Sequence, residues 1–392
     1  MAASSVIPST QTISRRTWAE VSVSRLRHNL RTVQDFVGPQ ATVCAVVKAD
    51  AYGHGAQGCA RALELEGAAW FGVTSTHEGM LLREAGIKGR ILVMAGFFRG
   101  EEEYLVQNNL TPTIWDRNHI QLLEDAAERL TKDKVNIHLK VDTGMTRLGA
   151  NLSDLPALAD ALRQARRLRV EGFYSHLASA EVLDAPSVEQ QIARFGQASA
   201  TMVEHGLTPQ FLHIANSAAL ATRPKTWMNF VRPGLALYGY HLPFVSAVTG
   251  APDTSHELPV LPVLTWKTRV IAVRDVPAHT AVGYGGAYVT PAPARIAVLP
   301  VGYADGLNRQ LSSRGRVIVR GDYAAIIGNI AMDLTTIDVS GIAGVEVGDE
   351  VVILGTQGHR TITPWEHARH ASTVAYEILC AISKRVPRKF VD

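Results

Sequence analysis

The chain has 392 residues, 46% of them hydrophobic and 19% charged, with a formal net charge of +3 at pH 7. This composition predicts a globular protein with a large buried core, and the small net charge argues against a nucleic-acid-binding surface. The length exceeds the roughly 250 residues of one (β/α)8 barrel, so two domains are expected.

Cysteine usage and the N-terminus bear on the compartment. Cys44, Cys59 and Cys380 lie far apart without C-x-x-C spacing, so neither a metal site nor a disulfide framework is predicted, and a reduced, cytoplasmic compartment fits. Residues 1–15 are rich in Ser and Thr, contain no acids and precede no apolar signal region, which indicates a disordered tail. No run of about 18 apolar residues occurs, so we expect no association with a membrane.

The first part of the chain alternates between strand and helix patterns. A short strand near 18–23 and a helix over 26–37 precede the buried strand 42–47. Seven further strands are predicted near 69–74, 89–95, 111–116, 135–142, 169–178, 210–216 and 228–234, with amphipathic helices such as 119–130, 155–167 and 188–205 between them. Eight such repeats predict a closed parallel (β/α)8 barrel over residues 16–250. An open doubly wound sheet is the alternative, but its usual G-x-G-x-x-G turn is absent.

The pattern changes from residue 251 onward. Residues 251–259 resemble a linker, and β-branched, glycine-punctuated strands follow. They lie near 263–273, 281–290, 295–301, 316–320, 324–339 and 351–355. A closing helix is predicted over 373–386. Residues 251–392 are therefore expected to form a mainly antiparallel β domain.

Polar residues interrupt the barrel strands at their carboxyl ends, which lie on the same face of a barrel. They are Lys48, Asp142 with Arg147, His176, Asn216 with Ser217, and Arg232 with Gly234. A lysine, a histidine, two arginines and a serine at one place suit an anionic ligand with a carbonyl, either an aldose phosphate or pyridoxal 5'-phosphate (PLP). Singly, His176 could be a core histidine, Arg147 a surface cation and Ser217 a helix N-cap. An N-cap serine with free N–H groups beside it would also suit a phosphate.

The segment 46–55, Val-Val-Lys-Ala-Asp-Ala-Tyr-Gly-His-Gly, closely resembles the PLP lysine motif of alanine racemases. Further segments resemble that family in the family's own order, from about Arg16 to the C-terminus. They are residues 140–149, 174–176, 215–218, 231–239, 282–286, 300–306, 328–333 and 374–379. The resemblance implies the same fold, a barrel followed by a β domain, and PLP as cofactor.

The resemblance also implies roles for the main site residues. Lys48 would bind PLP as a Schiff base and act as one of two proton-transfer bases, and Tyr284 would be the other. Arg232 would donate to the pyridine nitrogen. Because an arginine keeps its proton, that nitrogen would stay unprotonated, which gives a weaker electron sink and suppresses transamination.

Other positions carry supporting roles by the same resemblance. Tyr52, Ser217, Gly234 and Tyr376 would hold the phosphate, and His176 and Asn216 would also contact the cofactor. Arg147 and the backbone N–H of Met332 would bind substrate, while Tyr303 and Asp333 would line the entrance. Lys140 is a position sometimes carbamylated in the family. Thr146 and Ala331 depart from the residues that many relatives have there, glycine and cysteine.

The function implied is racemisation of alanine, with D-alanine supplied for peptidoglycan in a bacterial cytoplasm, by a homodimer whose two chains share each active site. A broad-specificity or serine racemase of the same fold is the nearest alternative. A PLP decarboxylase would need an acid at the pyridine nitrogen, where Arg232 stands. A non-catalytic PLP carrier would lack the second domain, which here begins near Val263.

Overall fold

A computed structural model describes residues 16–392, so the tail predicted over 1–15 lies outside the described residues. By contacts the chain divides into two units. Ser22–Val263 with Asp392 form the barrel unit, and Leu264–Val391 with the described residues up to Val21 form the β unit. Compared with the predicted bounds, 16–250 and 251–392, the N-terminal strand β1, Thr17–Ser22, goes largely with the β unit, and residues 251–263 go with the barrel unit.

The barrel unit contains the eight predicted parallel strands. They are β2 Thr42–Val46, β3 Trp70–Val73, β4 Arg90–Val93, β5 Thr111–Ile114, β6 Val135–Lys140, β7 Leu168–Tyr174, β8 Phe211–His213 and β9 Phe230–Val231. Their order is β8-β7-β6-β5-β4-β3-β2-β9, and every neighbouring pair is parallel. A parallel bridge between Asn216 and Arg232 links the ends of β8 and β9, so the barrel is nearly closed and the prediction is confirmed.

Helices separate the strands as the amphipathic pattern predicts. They are α1 Val23–Val37, α2 Lys48–Gly53, α3 Ala56–Leu65, α4 Thr76–Glu84, α5 Glu102–Gln107, α6 Arg117–Arg129, α7 Leu155–Gln164, α8 Pro186–Glu204 and α9 Ser217–Thr222. Ser22, Ser75 and Asp116 cap α1, α4 and α6 by accepting a backbone N–H in the first turn. Two short strands, β10 Phe244–Val245 and β11 Pro252–Asp253, pair antiparallel. No helix in the described part of the chain could span a membrane.

The β unit is built on one ten-stranded sheet. Its remaining strands, with the separate pair β14 and β15, are β12 Leu264–Arg269, β13 Ala272–Val276, β14 Ala281–Val282, β15 Tyr288–Val289, β16 Ala294–Leu299, β17 Arg316–Val319, β18 Asp322–Ile326, β19 Thr335–Asp338, β20 Glu350–Gln357, β21 Arg360–Ile362 and β22 Arg388–Val391. The sheet order is β13-β16-β19-β18-β17-β20-β12-β1-β22, with β21 on β20. From β13 to β1 every neighbouring pair in this order is antiparallel, as is the pair of β20 and β21, which confirms the mainly antiparallel prediction. The sheet buries a core of aliphatic side chains.

The closing helix is shorter than predicted. Instead of 373–386, the structure has α10, Pro364–Ala371, and α11, Ala375–Ala381. The chain leaves α11 at Ile382, whose φ of −58° and ψ of 106° are not helical. Pro387 disfavours helix in the residue before it, and the chain continues into β22. The apolar spacing on one face misled the prediction because it continues past the last helical turn.

Asn29, on α1, joins two loop segments of the barrel unit. Its Nδ2 donates to the carbonyl oxygens of Leu237 at 2.9 Å and Leu261 at 2.8 Å, and its Oδ1 accepts from Leu261 N at 2.7 Å. The side chain is fully buried. Gly239 passes so close that an added Cβ would lie 2.0 Å from the Leu261 oxygen. The Asn29 amide thus helps to hold the segment that connects the barrel to the β unit, together with hydrogen bonds from Arg25 and His28 to carbonyls of the same segment.

We expect Asn29→Leu to lower the free energy of unfolding by roughly 3 kcal/mol, because it leaves buried backbone groups without partners at nearly constant side-chain volume. Urea unfolding followed by circular dichroism measures this change. The matched control is Asp35→Leu at an exposed position of the same helix. Equal effects of the two substitutions would contradict the role of the amide.

Candidate active site

Lys48 follows β2 directly, where that strand is held on both sides. Val46 N donates to Pro233 O at 3.0 Å, Val47 N donates to Gly72 O at 2.9 Å, and the Tyr238 hydroxyl donates to Val46 O at 2.9 Å. Val46 and Val47 are buried, and Lys48 is half-buried at the carboxyl end of the strand. The lysine therefore lies at the strand end where the sequence pattern predicts it.

The turn after Lys48 is left-handed. Ala49, Asp50, Ala51 and Tyr52 have φ between 51° and 55°, a region that costs an L-residue roughly 1–2 kcal/mol each. Carboxylates offset part of that cost: Glu78 Oε1 accepts from Ala49 N at 2.8 Å, and Asp50 Oδ1 accepts from Ala56 N at 2.7 Å. Strained backbone conformations of this kind are frequent at functional sites, where contacts with the surrounding structure stabilise them.

Tyr52, Gly234 and Ser217 form a cradle of hydroxyl and amide groups. Ser217 Oγ accepts from Gly234 N at 2.8 Å and Ala236 N at 3.4 Å, which leaves its own hydrogen to donate. A Cβ on Gly234 would lie 2.3 Å from the Tyr52 hydroxyl oxygen, so only glycine leaves this space open. The helix cap is Asn216, whose Oδ1 accepts from Ala219 N at 3.0 Å; the N-cap interpretation of Ser217 is therefore wrong by one residue.

Arg232 is a buried cation that donates through both terminal nitrogens. Nη1 donates to His213 Nδ1 at 2.6 Å, and Nη2 donates to Ser175 O at 2.9 Å with His176 Nδ1 at 3.4 Å. Its guanidinium lies 5.0 Å from the centre of the Tyr174 ring. None of these partners is a carboxylate. Among the described residues Nε makes no hydrogen bond, so one N–H of Arg232 is left for a ligand.

Arg147 lies exposed on a loop that Asp142 organises. Asp142 Oδ1 accepts from the N–H groups of Gly144, Met145 and Thr146 at 2.8, 3.0 and 3.1 Å. Thr146 has a φ of 55°, an uncommon conformation for a β-branched residue, immediately before Arg147. Asp142 is therefore a structural carboxylate of the loop that presents Arg147.

The barrel mouth, the face at the carboxyl ends of the barrel strands that carries Lys48, Lys140, Arg147 and Arg232, is electropositive. Burial lowers the pKa of Lys140 from 10.5 to about 8, helped by Arg232, Arg147 and Lys48 and partly opposed by Asp142. Burial also holds the pKa of His176 well below 6.5, with Arg232 and Lys140 the next causes. His176 is thus neutral at pH 7. The structure brings together the predicted Lys48, Lys140, Arg147, His176 and Arg232.

The remaining predicted residues lie in the β unit. Tyr284 opens a turn between β14 and β15, flanked by Gly283, Gly285 and Gly286, all of which have positive φ. The Tyr284 side chain is 75% exposed, and its carbonyl accepts from Asn329 Nδ2 at 2.9 Å. Tyr376 is half-buried on α11. Tyr284 therefore lies exposed at the turn of the β14–β15 hairpin.

Met332, Asp333 and Tyr303 lie close to one another in the β unit. Tyr303 N donates to Ala331 O at 3.1 Å, and Ala304 N donates to Met332 O at 3.0 Å. Among the described residues the Met332 N–H makes no hydrogen bond. Asp333 is paired with Arg385, whose Nη2 lies 2.7 Å from its Oδ1. These contacts place the two predicted entrance residues beside an available backbone donor.

Sequence reasoning missed two histidines that contact this site. His213, the last residue of β8, accepts from Arg232, and its Nε2 lies 2.9 Å from His138 Nδ1. His138 lies two residues before Lys140 on β6, and residues two apart on a strand face the same side. That spacing was the available signal.

Two family models match the chain: the N-terminal domain of alanine racemase over residues 21–242 and the C-terminal domain of alanine racemase over residues 263–390. An alanine racemase from Sorangium cellulosum is 39% identical over 384 residues, covering 95% of this chain and 98% of that relative.

Solved structures agree with these matches. An alanine racemase from Streptomyces lavendulae is similar with a TM-score of 0.88 and 34% identity, covering 97% of this chain and 98% of the other. An alanine racemase from Bartonella henselae with covalently bound pyridoxal phosphate is similar with a TM-score of 0.83 and 28% identity, covering 96% and 99%. Both domains thus have relatives of the same kind.

The lowered pKa of Lys140 predicts how stability changes with pH. Between the folded value of about 8 and the unfolded value near 10.5, the unfolded chain holds a proton that the folded chain has released. Stability should therefore rise with pH in this window, by up to about 1.4 kcal/mol per pH unit. In protein kept free of CO₂, so that the Lys140 amine is unmodified, Lys140→Met should be more stable than the parent at pH 7 and lose that slope in urea unfolding, whereas the control Lys132→Met at an exposed position should keep it. An unchanged slope in Lys140→Met would contradict the assignment.

Proposed function

The chain belongs to the alanine racemase family, and on that premise we propose that it is a PLP-dependent isomerase that interconverts L-alanine and D-alanine. The D-alanine would serve peptidoglycan synthesis. The observation that carries the proposal is Arg232, a buried cation that has no carboxylate partner and no hydrogen bond at Nε among the described residues. Arg232 and Lys48 both act on His176, so they face the same site.

The residues of the barrel mouth fit PLP by their chemistry. The amine of Lys48 suits the aldehyde, and the Nε–H of Arg232 suits the pyridine nitrogen. The hydroxyl groups of Tyr52 and Ser217 suit the phosphate, in the space that Gly234 leaves open. Tyr376 would add a further phosphate contact and Asn216 would shape the same wall. An aldose phosphate would share the anion-binding groups but would leave the guanidinium donor of Arg232 without a ring nitrogen.

The proposed roles of the chain's own residues are those that the resemblance to the family implies. When bound, PLP supplies the electron-withdrawing group that makes the Cα proton of the amino acid acidic. Arg147 and the Met332 N–H would bind the substrate carboxylate, with Tyr303 and Asp333 at the entrance. Arg232 would donate to the ring nitrogen without protonating it, because guanidinium remains charged at any pH the protein tolerates. His176, neutral beside Arg232, would not compete for that proton.

Two bases would exchange the Cα proton on opposite faces of the substrate. Lys48 would serve D-alanine and Tyr284 would serve L-alanine. The hairpin that carries Tyr284 exposes its phenol, which suits a residue that completes the site of a second copy. We therefore propose a homodimer in which each site combines Lys48 of one chain with Tyr284 of the other.

Lys140 would be carbamylated. A cation here is disfavoured by burial and by Arg232 and Arg147, and a carbamate would replace it with an anion that pairs with Arg147. Cys44 and Cys59 are buried, Cys380 is exposed, and the three lie far apart in the sequence, which suits a reducing cytoplasm.

A PLP decarboxylase is disfavoured because such enzymes place an acid at the ring nitrogen, and the groups that accept hydrogen bonds from Arg232 are imidazole and carbonyl groups. A PLP carrier without catalysis is disfavoured by the match of the second family domain to residues 263–390. A broad-specificity or serine racemase of the same fold would differ in the entrance wall, where Ala331 and Thr146 depart from many relatives.

The purified protein should convert L-alanine to D-alanine, as measured by chiral chromatography, with L-serine, L-lysine and L-arginine assayed in parallel.

The purified protein should be yellow, and borohydride should remove the colour and fix PLP to Lys48, because the lysine amine and the aldehyde condense. Peptide mapping identifies the modified residue. PLP found mainly on Lys140 or Lys267 would overturn the site assignment.

The two-base proposal makes a stereochemical prediction. Tyr284→Phe removes one phenolic oxygen, so racemisation should fall by roughly 10²–10⁴-fold, the range for a lost acid–base group. In D₂O the variant should still exchange the Cα proton of D-alanine, through Lys48, while L-alanine stays nearly unexchanged; NMR of the recovered amino acid measures both. The matched control is Tyr288→Phe in the same hairpin, which should retain the parental rate.

Equal exchange of both enantiomers by Tyr284→Phe would remove Tyr284 as the second base. Loss of bound PLP, followed by absorbance, would instead mean that the phenol supports cofactor binding.

A further inference from the structure

Arg232 begins a chain of hydrogen bonds that runs from the barrel mouth into its interior. Its Nη1 lies 2.6 Å from His213 Nδ1, and His213 Nε2 lies 2.9 Å from His138 Nδ1. Both histidines are fully buried. These hydrogen bonds lie within the barrel unit and end at His138.

The direction of each hydrogen bond is determined by chemistry. A guanidinium has only donors, so in the contact that the structure shows His213 Nδ1 accepts and carries no hydrogen. Neutral His213 then has its hydrogen on Nε2 and donates it to His138 Nδ1. Burial, with Arg232 the next cause, holds the pKa of His213 well below 6.5, and burial with Arg90 and Arg232 lowers the pKa of His138 to about 3. Both rings are therefore neutral, each with its hydrogen on Nε2.

The fold makes room for His138 at some cost. The pairing of β6 with β7 shifts register between Ile137 and His138, and Gly172 stands opposite on β7. A Cβ on Gly172 would lie 2.4 Å from the imidazole ring. Strand glycines and register shifts of this kind bring a side chain or backbone unusually close. Two local features of the barrel thus accommodate one ring.

The other nitrogen of His138 has no partner. Nε2 is buried and makes no hydrogen bond among the described residues. The ring lies among Trp70, Phe211 and Phe230, with centroids 5.4, 6.3 and 6.0 Å away. A buried donor without a partner is unfavourable, and an aliphatic side chain would fill this space without it. The feature that an aliphatic residue could not supply is the acceptor Nδ1.

Resting on the proposed function, we propose that His138 is a positioning residue: by accepting the Nε2 hydrogen of His213 it fixes the tautomer of His213, and so keeps Nδ1 of that ring as the acceptor that holds the Arg232 guanidinium. Without this acceptor, His213 could carry its hydrogen on Nδ1, and that N–H would then face the N–H of Arg232 Nη1 with no acceptor between them. The guanidinium would lose the contact that directs its Nε–H toward the ring nitrogen.

Neutron diffraction from D₂O-exchanged crystals of the PLP-bound protein tests the tautomers directly. We expect deuterium on Nε2 of His213 and of His138 and none on either Nδ1. Deuterium on Nδ1 of His213, or on both nitrogens of either ring, would overturn the proposal. This measurement uses the native chain and does not depend on its activity. The tautomer proposal can therefore be contradicted while alanine racemisation is confirmed, and alanine racemisation can be contradicted while the tautomers are as proposed.

A matched pair of substitutions tests the consequence. His138→Asn places Oδ1 near the position of Nδ1, whereas His138→Leu has almost the same shape but no acceptor. With L-alanine, the Leu variant should lose kcat by about tenfold, equivalent to about 1.4 kcal/mol, with KM little changed. It should also form more pyridoxamine phosphate per racemisation event, measured by chromatography of the released cofactor. The Asn variant should recover most of both losses.

Two controls separate positioning from packing. Phe211→Leu disturbs the same aromatic cluster and should leave the amount of pyridoxamine phosphate per turnover unchanged. In an Arg232→Lys background, His138→Leu should have no further effect on that ratio, because its influence passes through the guanidinium. Equal behaviour of the Asn and Leu variants, or an undiminished effect of His138→Leu in the Arg232→Lys background, would overturn the proposal; if the Leu variant does not fold, the neutron map decides.

Discussion

The Arg232 guanidinium is a full charge buried inside the barrel with no carboxylate against it. An uncompensated buried cation is costly, so the surrounding groups must supply what a counter-ion would. They are the Ser175 carbonyl at 2.9 Å, the His213 imidazole at 2.6 Å and the face of Tyr174 at 5.0 Å. Burial moves the pKa of both neighbouring histidines downward, which keeps them neutral. The result is a donor that directs an N–H at a ligand and does not give up its proton.

The other cations of the barrel mouth are also held in place by neighbouring hydrogen bonds, and they are less buried than Arg232. Lys48 is presented by a strand that is bonded on both sides, and the left-handed turn behind it depends on Glu78 and Asp50. Asp142 uses one oxygen to hold three N–H groups of the Arg147 loop. Among the described residues, these carboxylates thus stabilise backbone and do not pair with Arg147 or Arg232. The positive charge at the mouth therefore favours an anionic ligand.

The barrel, and the meeting of Lys48, Arg147, His176 and Arg232 at its mouth, could be predicted from sequence, because period-2 and period-3.6 patterns and polar residues at strand ends indicate parallel strands. The site residues of the β unit were predicted only by the resemblance to alanine racemases. The exact cap of α9 could not, since Asn216 and Ser217 are both good caps and only geometry chooses between them. The end of α11 was overestimated because apolar spacing persists beyond the helix. His138 and His213 escaped notice because a lone histidine in an apolar strand usually belongs to the core, and their meeting depends on a register shift that the sequence does not reveal.

Four cations line the barrel mouth and repel one another when no anion is present: Lys48, Lys140, Arg147 and Arg232. Burial and this repulsion together lower the pKa of Lys140. Any phosphate or carboxylate that binds there relieves it, so binding energy and folding energy are linked in this unit. A carbamate on Lys140 would relieve part of the same repulsion from within the chain. The neutral state of His176 and His213 has two consequences for Arg232. A charge on either ring would add to the repulsion, and it would also remove an acceptor that holds the guanidinium. An anionic ligand should therefore stabilise the folded barrel unit by offsetting the repulsion among these cations.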